Sequence, residues 1–262
     1  MSLREVHALR RRIREGKFNS PTAGHCKGFV QANLVAIPEK FREDFESFCM
    51  KNPKPCPLLE VVGPGSYITK KLANGADLRT EIPKYKIFID GKEEYIVENI
   101  LDFYRDDLVF FLIGCSFTFE NAMLKAGINL AHIERKKNVS MYNTDIKLKA
   151  SGMFSGNMVV SMRPIHYGNV VEACLITAHF PEMHGAPVHV GYPEMIGIKD
   201  IQKVDYGDRI VISDSEIPLF WACGVTPQNI LLHAKIPIAI THYPGHMFVT
   251  DLKDEYFYKD II

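Results

Sequence analysis

Short apolar runs alternate with turn residues along most of this chain. The sharpest unit is the unbroken apolar run 108–113, which stops at Gly114 and sets Cys115 and Ser116 on a turn. A helical stretch to Lys125 follows, closed by Gly127. A buried run, a glycine and then a helix read as strand–turn–helix. In open α/β folds, ligands bind in the crevice at the carboxyl ends of the strands. A thiol on such a turn sits beside free backbone N–H groups and the positive helix end, both of which favour its thiolate. A small buried core cysteine accounts for the same position equally well.

Elsewhere Leu3, Val6, Leu9 and Ile13 recur at helical spacing. They predict a surface helix over about 3–15 with a solvated basic face of Arg4, Arg10, Arg11, Arg12 and Arg14. Residues 16–28 read as a loop and 29–37 as a strand. Pro38 then opens a helix with Phe41, Phe45, Phe48 and Cys49 on one face. Asn52-Pro-Lys-Pro-Cys-Pro57 cannot be helical, because proline lacks the donor and fixes φ, and it reads as a rigid connector. Asp90-Gly91 between extended runs marks a hairpin over 85–97. Further strands are expected at 58–62, 157–162, 187–190, 209–212 and 236–241. A helix is expected over 170–179, with Val170, Val171, Cys174, Leu175 and Ala178 inward. Thr226-Pro227 reads as a helix start, a hydroxyl N-cap followed by proline. Strands mixed with helices throughout predict an α/β class with mixed α+β elements. The expected architecture is a single α/β unit over 1–262, with a mixed-sheet main domain and a small inserted α+β subdomain at about 116–170.

Composition narrows the function. The chain has 262 residues, 47% of them hydrophobic, enough for one large domain. Lys+Arg and Asp+Glu are both 31, so no nucleic-acid footprint is visible. The apolar runs fall far short of a membrane span. The basic N-terminal stretch lacks an apolar segment of the secretory kind, and Glu5 and Glu15 argue against a transit peptide, so a cytoplasmic location is expected. The six cysteines, at 26, 49, 56, 115, 174 and 223, contain no C-x-x-C pair. They read as free thiols, most of them in the core.

Candidate chemistry sits where glycine or proline fixes unusual backbone beside reactive side chains. One group is Cys115, Ser116 and Glu120. A second is Ser161 and Arg163, where an arginine at a strand end can hold a carboxylate by a two-pronged hydrogen bond. A structural ion pair would explain Arg163 as well. A third is His184 and His189, five apart across Gly-Ala-Pro and so unlike helical metal ligands. The fourth is Cys223, Thr226 and Gln228, with His242 and His246 around Tyr243-Pro-Gly and Asp251 downstream. A lone histidine is more often a satisfied structural group. If Cys115 and Cys223 face each other, they could form an acid–base thiol pair at one carbon. Phosphate-loop, dinucleotide, nucleophile-elbow and EF-hand motifs are absent.

The segments Pro21-Thr-Ala-Gly24, Gln31-Ala-Asn-Leu34, Asn52-Pro-Lys-Pro-Cys-Pro57, Gly114-Cys-Ser-Phe117, Val159-Val-Ser-Met-Arg-Pro164, His184-Gly-Ala-Pro-Val-His189, Phe220-Trp-Ala-Cys-Gly-Val-Thr-Pro-Gln228 and Pro244-Gly-His-Met247 carry a resemblance over nearly the whole chain. It resembles the bacterial hydro-lyase family whose domain also occurs in mitochondrial D-glutamate cyclase. That resemblance implies loss of water from an amino acid, for D-glutamate the closure of 5-oxo-D-proline. Under it Arg163, with Ser161, holds the α-carboxylate. The turn at Cys115–Ser116 or the helix start at Thr226 supplies oxyanion donors. Proton transfer falls among His184, His189 and Glu120, while Gln228, His242 and His246 join the substrate-binding set. Cys115 as a covalent nucleophile is a second route. The expected partner is a small amino acid or carboxylate, without cofactor, metal, nucleic acid or membrane; homo-oligomerisation stays open. A racemase of an acidic amino acid using Cys115 and Cys223, and a non-enzymatic metabolite-binding module, are the alternatives.

Overall fold

The computed structural model describes residues 2–260. In chain order its principal elements are α1 (Leu3–Arg14), β1 (Phe29–Pro38), α2 (Arg42–Lys51), β2 (Leu58–Val62), β3 (Tyr85–Ile89), β4 (Lys92–Val97) and β5 (Leu108–Gly114). Then follow α3 (Phe117–Lys125), α4 (Ala131–Glu134), β6 (Ser140–Lys147), β7 (Asn157–His166), α5 (Val170–Ala178) and β8 (His189–Val190). The chain finishes with β9 (Glu216–Ala222), α6 (Thr226–Ala234), β10 (Ile238–His242) and β11 (Phe248–Lys253). The expected mixture of helices and sheets holds, and the paired strands run antiparallel.

The larger sheet has seven strands in the order β2-β5-β1-β10-β3-β4, with β11 also on β1. Strand β5 is buried at every position, which its continuous apolar run requires of a strand covered on both faces. The hairpin β3–β4 turns at Asp90 and Gly91, both at positive φ, as a two-residue hairpin turn demands. Strand β1 changes partner along one edge. Val35 and Ala36 pair with β10, whereas Phe29, Gln31 and Ala32 pair with β11, so Asn33 and Leu34 fall in the gap. The His242 ring fills it: Leu34 N–H donates to His242 Nδ1 at 3.1 Å.

The smaller sheet runs β6-β7-β9-β8. Ser161 pairs with Trp221 and Arg163 with Leu219, while Met162 and His189 both pair with Phe220. Side chains alternate across a strand. Ser161 and Arg163 therefore share one face, and Met162, Phe220 and His189 share the other. The first face joins the main core. Leu34, Phe110 and Leu112 of the large sheet, Ile165, Leu219 and Trp221 of the small one, and Phe119 and Met123 of α3 form one apolar cluster.

Four expectations are corrected. Arg10 is not solvated: it is buried, ion-paired to Glu81 at 3.1 Å and Asp251 at 2.7 Å, and donates to the Val249 carbonyl. Helix α5 turns Ala173 and Thr177 inward and leaves Val171 and Leu175 exposed. It is apolar on more than one side, so periodicity did not single out the packed face. Residues 209–212 form no strand; Ile210 N–H is taken by Ser140 Oγ instead of a neighbouring strand. Thr226 is not an N-cap but the first residue of α6, and its hydroxyl bonds both the N–H and the carbonyl of Val159.

Candidate functional site

The β5–α3 turn and strand β7 meet at Arg163. Gly114 ends β5 because nothing larger fits: a Cβ there would lie 1.9 Å from the Glu182 carbonyl oxygen. The next two residues turn into α3, and Glu120 lies in the first turn of that helix. Arg163 is fully buried. Its Nε donates to Glu120 Oε1 at 2.9 Å, and its Nη2 donates to the same oxygen. The fork continues to Ser116 Oγ at 3.0 Å and Ser161 Oγ at 3.2 Å. The guanidinium also lies over the Phe119 and Trp221 rings, 5.3 and 5.4 Å from their centroids. Burial alone would raise the Glu120 carboxyl, but the His132 ring and the Arg163 guanidinium outweigh it and hold the acid below its ordinary range.

The two expected cysteines do come together. Cys115 and Cys223 share an apolar cluster with Phe117, Val139, Met141, Val159, Val225 and Met247. The thiolate expectation fails: burial drives the Cys115 thiol strongly upward, outweighing the Phe117 amide that faces its sulfur. Burial likewise pushes Cys223 up to about 11. Both are neutral thiols at neutral pH, able to donate a proton but poor as nucleophiles.

His184 stays beside the site, with the Gly114 backbone against its ring and the Arg163 charge acting on it, while the other candidates separate. His184 is buried in the left-handed region, with Nδ1 2.8 Å from the Lys54 carbonyl. A carbonyl only accepts, so Nδ1 carries the hydrogen, and Nε2 is left as a buried acceptor without a partner. Burial pushes His184 down to about 4. His189 lies on the opposite face of the small sheet from Arg163, its ring beside Phe220 and its Nε2 2.7 Å from the Tyr192 carbonyl. Thr226 is spent on Val159. Gln228, His242 and His246 form a second group. Gln228 Nε2 donates to the His242 carbonyl at 2.8 Å, and His242 is pushed down to about 4 by burial, with His246 and Lys86 adding to the effect. His246 has carbonyls of Pro244 and Asn19 on its two ring nitrogens.

Two residues that matter here were not among the expected site residues. Asn33 Nδ2 donates to the Gly114 carbonyl at 2.5 Å, and a Cβ on Gly224 would sit 2.0 Å from the same nitrogen. Asn33 thus spans the turns that carry Cys115 and Cys223. His132, in the short helix α4, places Nε2 3.0 Å from Glu120 Oε1. Only the conspicuous Gln31-Ala-Asn-Leu34 segment hinted at Asn33, and nothing marked His132.

A small cavity of about 20 Å³, room for one water, reaches Glu120 past Phe117, Thr118 and Gln31, under the loop at Gly24–Phe29. That loop is tied down by Gln31 Nε2, which donates to the Thr22 and His25 carbonyls. Among the described residues, no three His, Cys, Asp or Glu side chains gather as a metal-holding group. No helix among them is long and apolar enough to cross a membrane.

Comparison with known proteins bears on this arrangement. Residues 109–251 match the family model described as D-glutamate cyclase. A protein of Natranaerobius thermophilus named "Putative hydro-lyase" is 52% identical over 250 residues, covering 95% of this chain and 96% of its own. One of the same name from Rubrobacter xylanophilus is 54% identical over 245 residues, covering 94% and 95%. The chain belongs to the D-glutamate cyclase family. Glu120, His132, Ser161, Arg163 and both thiols of the cluster fall inside the matched segment, and Asn33 lies outside it. A nitrogen repressor-like protein from Methanococcus jannaschii, a solved structure, is 12% identical over 92% of this chain and 96% of its own, with a TM-score of 0.39, too loose a likeness to bear on fold or function.

Proposed function

We propose that the protein is a hydro-lyase that closes D-glutamate to 5-oxo-D-proline, a reaction of amino-acid metabolism. The observation that carries this reading is the fully buried Arg163, forked onto Glu120, Ser116 and Ser161 beside two neutral thiols. Membership of a family described as D-glutamate cyclase supports it.

The chemistry sets the roles. A bond forms between the α-amine nitrogen and the side-chain carboxyl carbon, and one C–O bond of that carboxyl breaks. Starting from ammonium and carboxylate, two protons move from nitrogen to the departing oxygen, which leaves as water. No proton is released overall, so the site must move protons rather than discharge them. Arg163 holds the α-carboxylate. Four of its five N–H donors meet Glu120, Ser116 and Ser161, and the fifth, on Nη1, is left for substrate. The start of α3 at Cys115–Ser116 supplies donors to the tetrahedral oxyanion; loss of one such donor costs about 2.7–4 kcal/mol of barrier. Of the expected acid–base groups, Glu120 is the one held on Arg163, and its charge organises proton transfer beside it. A neutral Cys115 is suited to protonating the departing oxygen, and covalent attack is unnecessary because ring closure already gives high effective concentration.

The test is NMR of purified protein with D- or L-glutamate, alongside Cys115→Ser. D-selective 5-oxoproline supports the reading; no product from either enantiomer sinks it. The shared cluster of Cys115 and Cys223 also favours a second reading, a thiol-pair racemase of an acidic amino acid. Exchange of the α-hydrogen in deuterated water without ring closure would select it.

A further inference from the structure

His132 is 1% exposed and stands between the buried ion pair and open solvent. On one side its Nε2 lies 3.0 Å from Glu120 Oε1, the oxygen that also receives Arg163. The Phe117 ring stacks on the imidazole, centroids 6.3 Å apart and planes 20° from parallel. On the other side His132 lines a cleft of about 530 Å³ with His25, Lys27, Lys136, Lys137 and Asp208. The cleft and the cavity that reaches Glu120 share Gly24, His25, Lys27 and Ile133, so both open around the same loop. The lysines outnumber the single acid, which suits the approach of a dicarboxylate.

We propose that Glu120 and His132 form an acid–base dyad in which His132 is the catalytic residue and Glu120 its positioning partner. The inference rests on the D-glutamate reading and deepens it. Nε2 stands 3.0 Å from Glu120 Oε1 but off the line of a hydrogen bond, so the carboxylate acts on the ring through its charge, which favours the tautomer with hydrogen rather than a lone pair on Nε2 and leaves the lone pair on Nδ1. Nδ1 takes a proton from the amine as nitrogen turns nucleophile, and the imidazolium so formed is stabilised by the carboxylate behind it. That proton passes to the departing oxygen; the Cys115 thiol gives it a second and is restored by the proton that nitrogen loses as the C–N bond forms, so two protons leave nitrogen, the oxygen departs as water and no proton is lost. Lys27, Lys136, Lys137, His25 and Asp208 line the cleft with the ring, and Glu120 with Arg163 behind it faces the ring from α3 and β7.

The test compares wild type, His132→Gln and His132→Gly with D-glutamate. A lost acid–base group should lower kcat at least about 100-fold in both variants with KM little changed. Imidazole added to His132→Gly should restore turnover, because the cleft admits it, and should do nothing for His132→Gln, whose side chain fills the site. Near-normal kcat in His132→Gln, or a His132→Gly enzyme deaf to imidazole, overturns the dyad. Absence of product from wild type would instead sink the D-glutamate reading. The dyad then stands or falls on ¹⁵N NMR of the free protein: His132 must be the Nε2–H tautomer at neutral pH, and the Nδ1–H tautomer overturns it.

Discussion

One oxygen of Glu120, Oε1, receives both the Nε and an Nη hydrogen of Arg163, and both side chains are buried. A buried pair of this kind is no strong argument for stability, since both charges lose their hydration. Removing one partner is a different matter, because the other is left charged and unpaired. Arg163→Met should cost about 3–5 kcal/mol, read by urea unfolding at constant slope. Arg163→Lys keeps the charge but loses the fork to Ser116 and Ser161. It should fold better than Arg163→Met and still turn over poorly, and wild-type kinetics in the lysine variant would remove Arg163 from the site.

Acid should weaken the protein before it titrates the carboxylates. His184 and His242 are pushed down to about 4 by burial, from the ordinary 6.5. Above 6.5 both states hold these rings neutral, and neither contributes. Between 6.5 and 4 the unfolded chain binds protons that the folded one refuses, so stability falls as pH falls, by at most about 3 kcal/mol per ring. Glu120, held low, adds a further loss below its unfolded value of 4.5. Urea midpoints from pH 7 to 4 should decline, and His184→Gln should flatten the slope; a level profile contradicts the burial of both rings.

Thiol labelling at neutral pH should be slow. Cys115 and Cys223 are buried and shifted upward, and Cys174 is the half-buried thiol among the six. Mass spectrometry after brief iodoacetamide treatment should find label at Cys174 ahead of the others. Rapid loss of the Cys115 signal would mean that the thiolate forms readily after all.

Asn33 and Gly224 should be coupled. Gly224→Ala forces a methyl against the Asn33 amide and should cost about 1–3 kcal/mol by overpacking. In an Asn33→Ala background the clash is gone, so the second substitution should cost much less. A double-mutant cycle that adds up without coupling would mean the two turns are not held through Asn33.

The strand–turn–helix at 108–125 was legible because Gly114 is a steric necessity that also punctuates the sequence. Arg163 and Glu120 could be named as candidates, since proline and a turn flag each. Their union could not, because it depends on how the small sheet packs on α3. His189 shows the reverse: its motif was conspicuous, yet strand parity puts it on the other face from Arg163. Strand β9 was missed although it is central to the small sheet, because Pro218 sits in its middle and breaks the expected strand pattern. His132 was invisible, as a four-residue helix offers no periodicity to read.

Arg10 carries a consequence for synthesis. Its partners Glu81 and Asp251 lie 71 and 241 residues further along the chain, and Val249 and Asp251 belong to the last strand. Helix α1 is made long before part of its seat. Until β11 emerges from the ribosome, the apolar stripe of Val6, Leu9 and Ile13 has Cys26 and Phe29 but not Val249 to cover it, and Arg10 beside Glu81 lacks its second carboxylate. The nascent chain therefore travels with α1 and β11 unreconciled, and a single arginine joins them at the close.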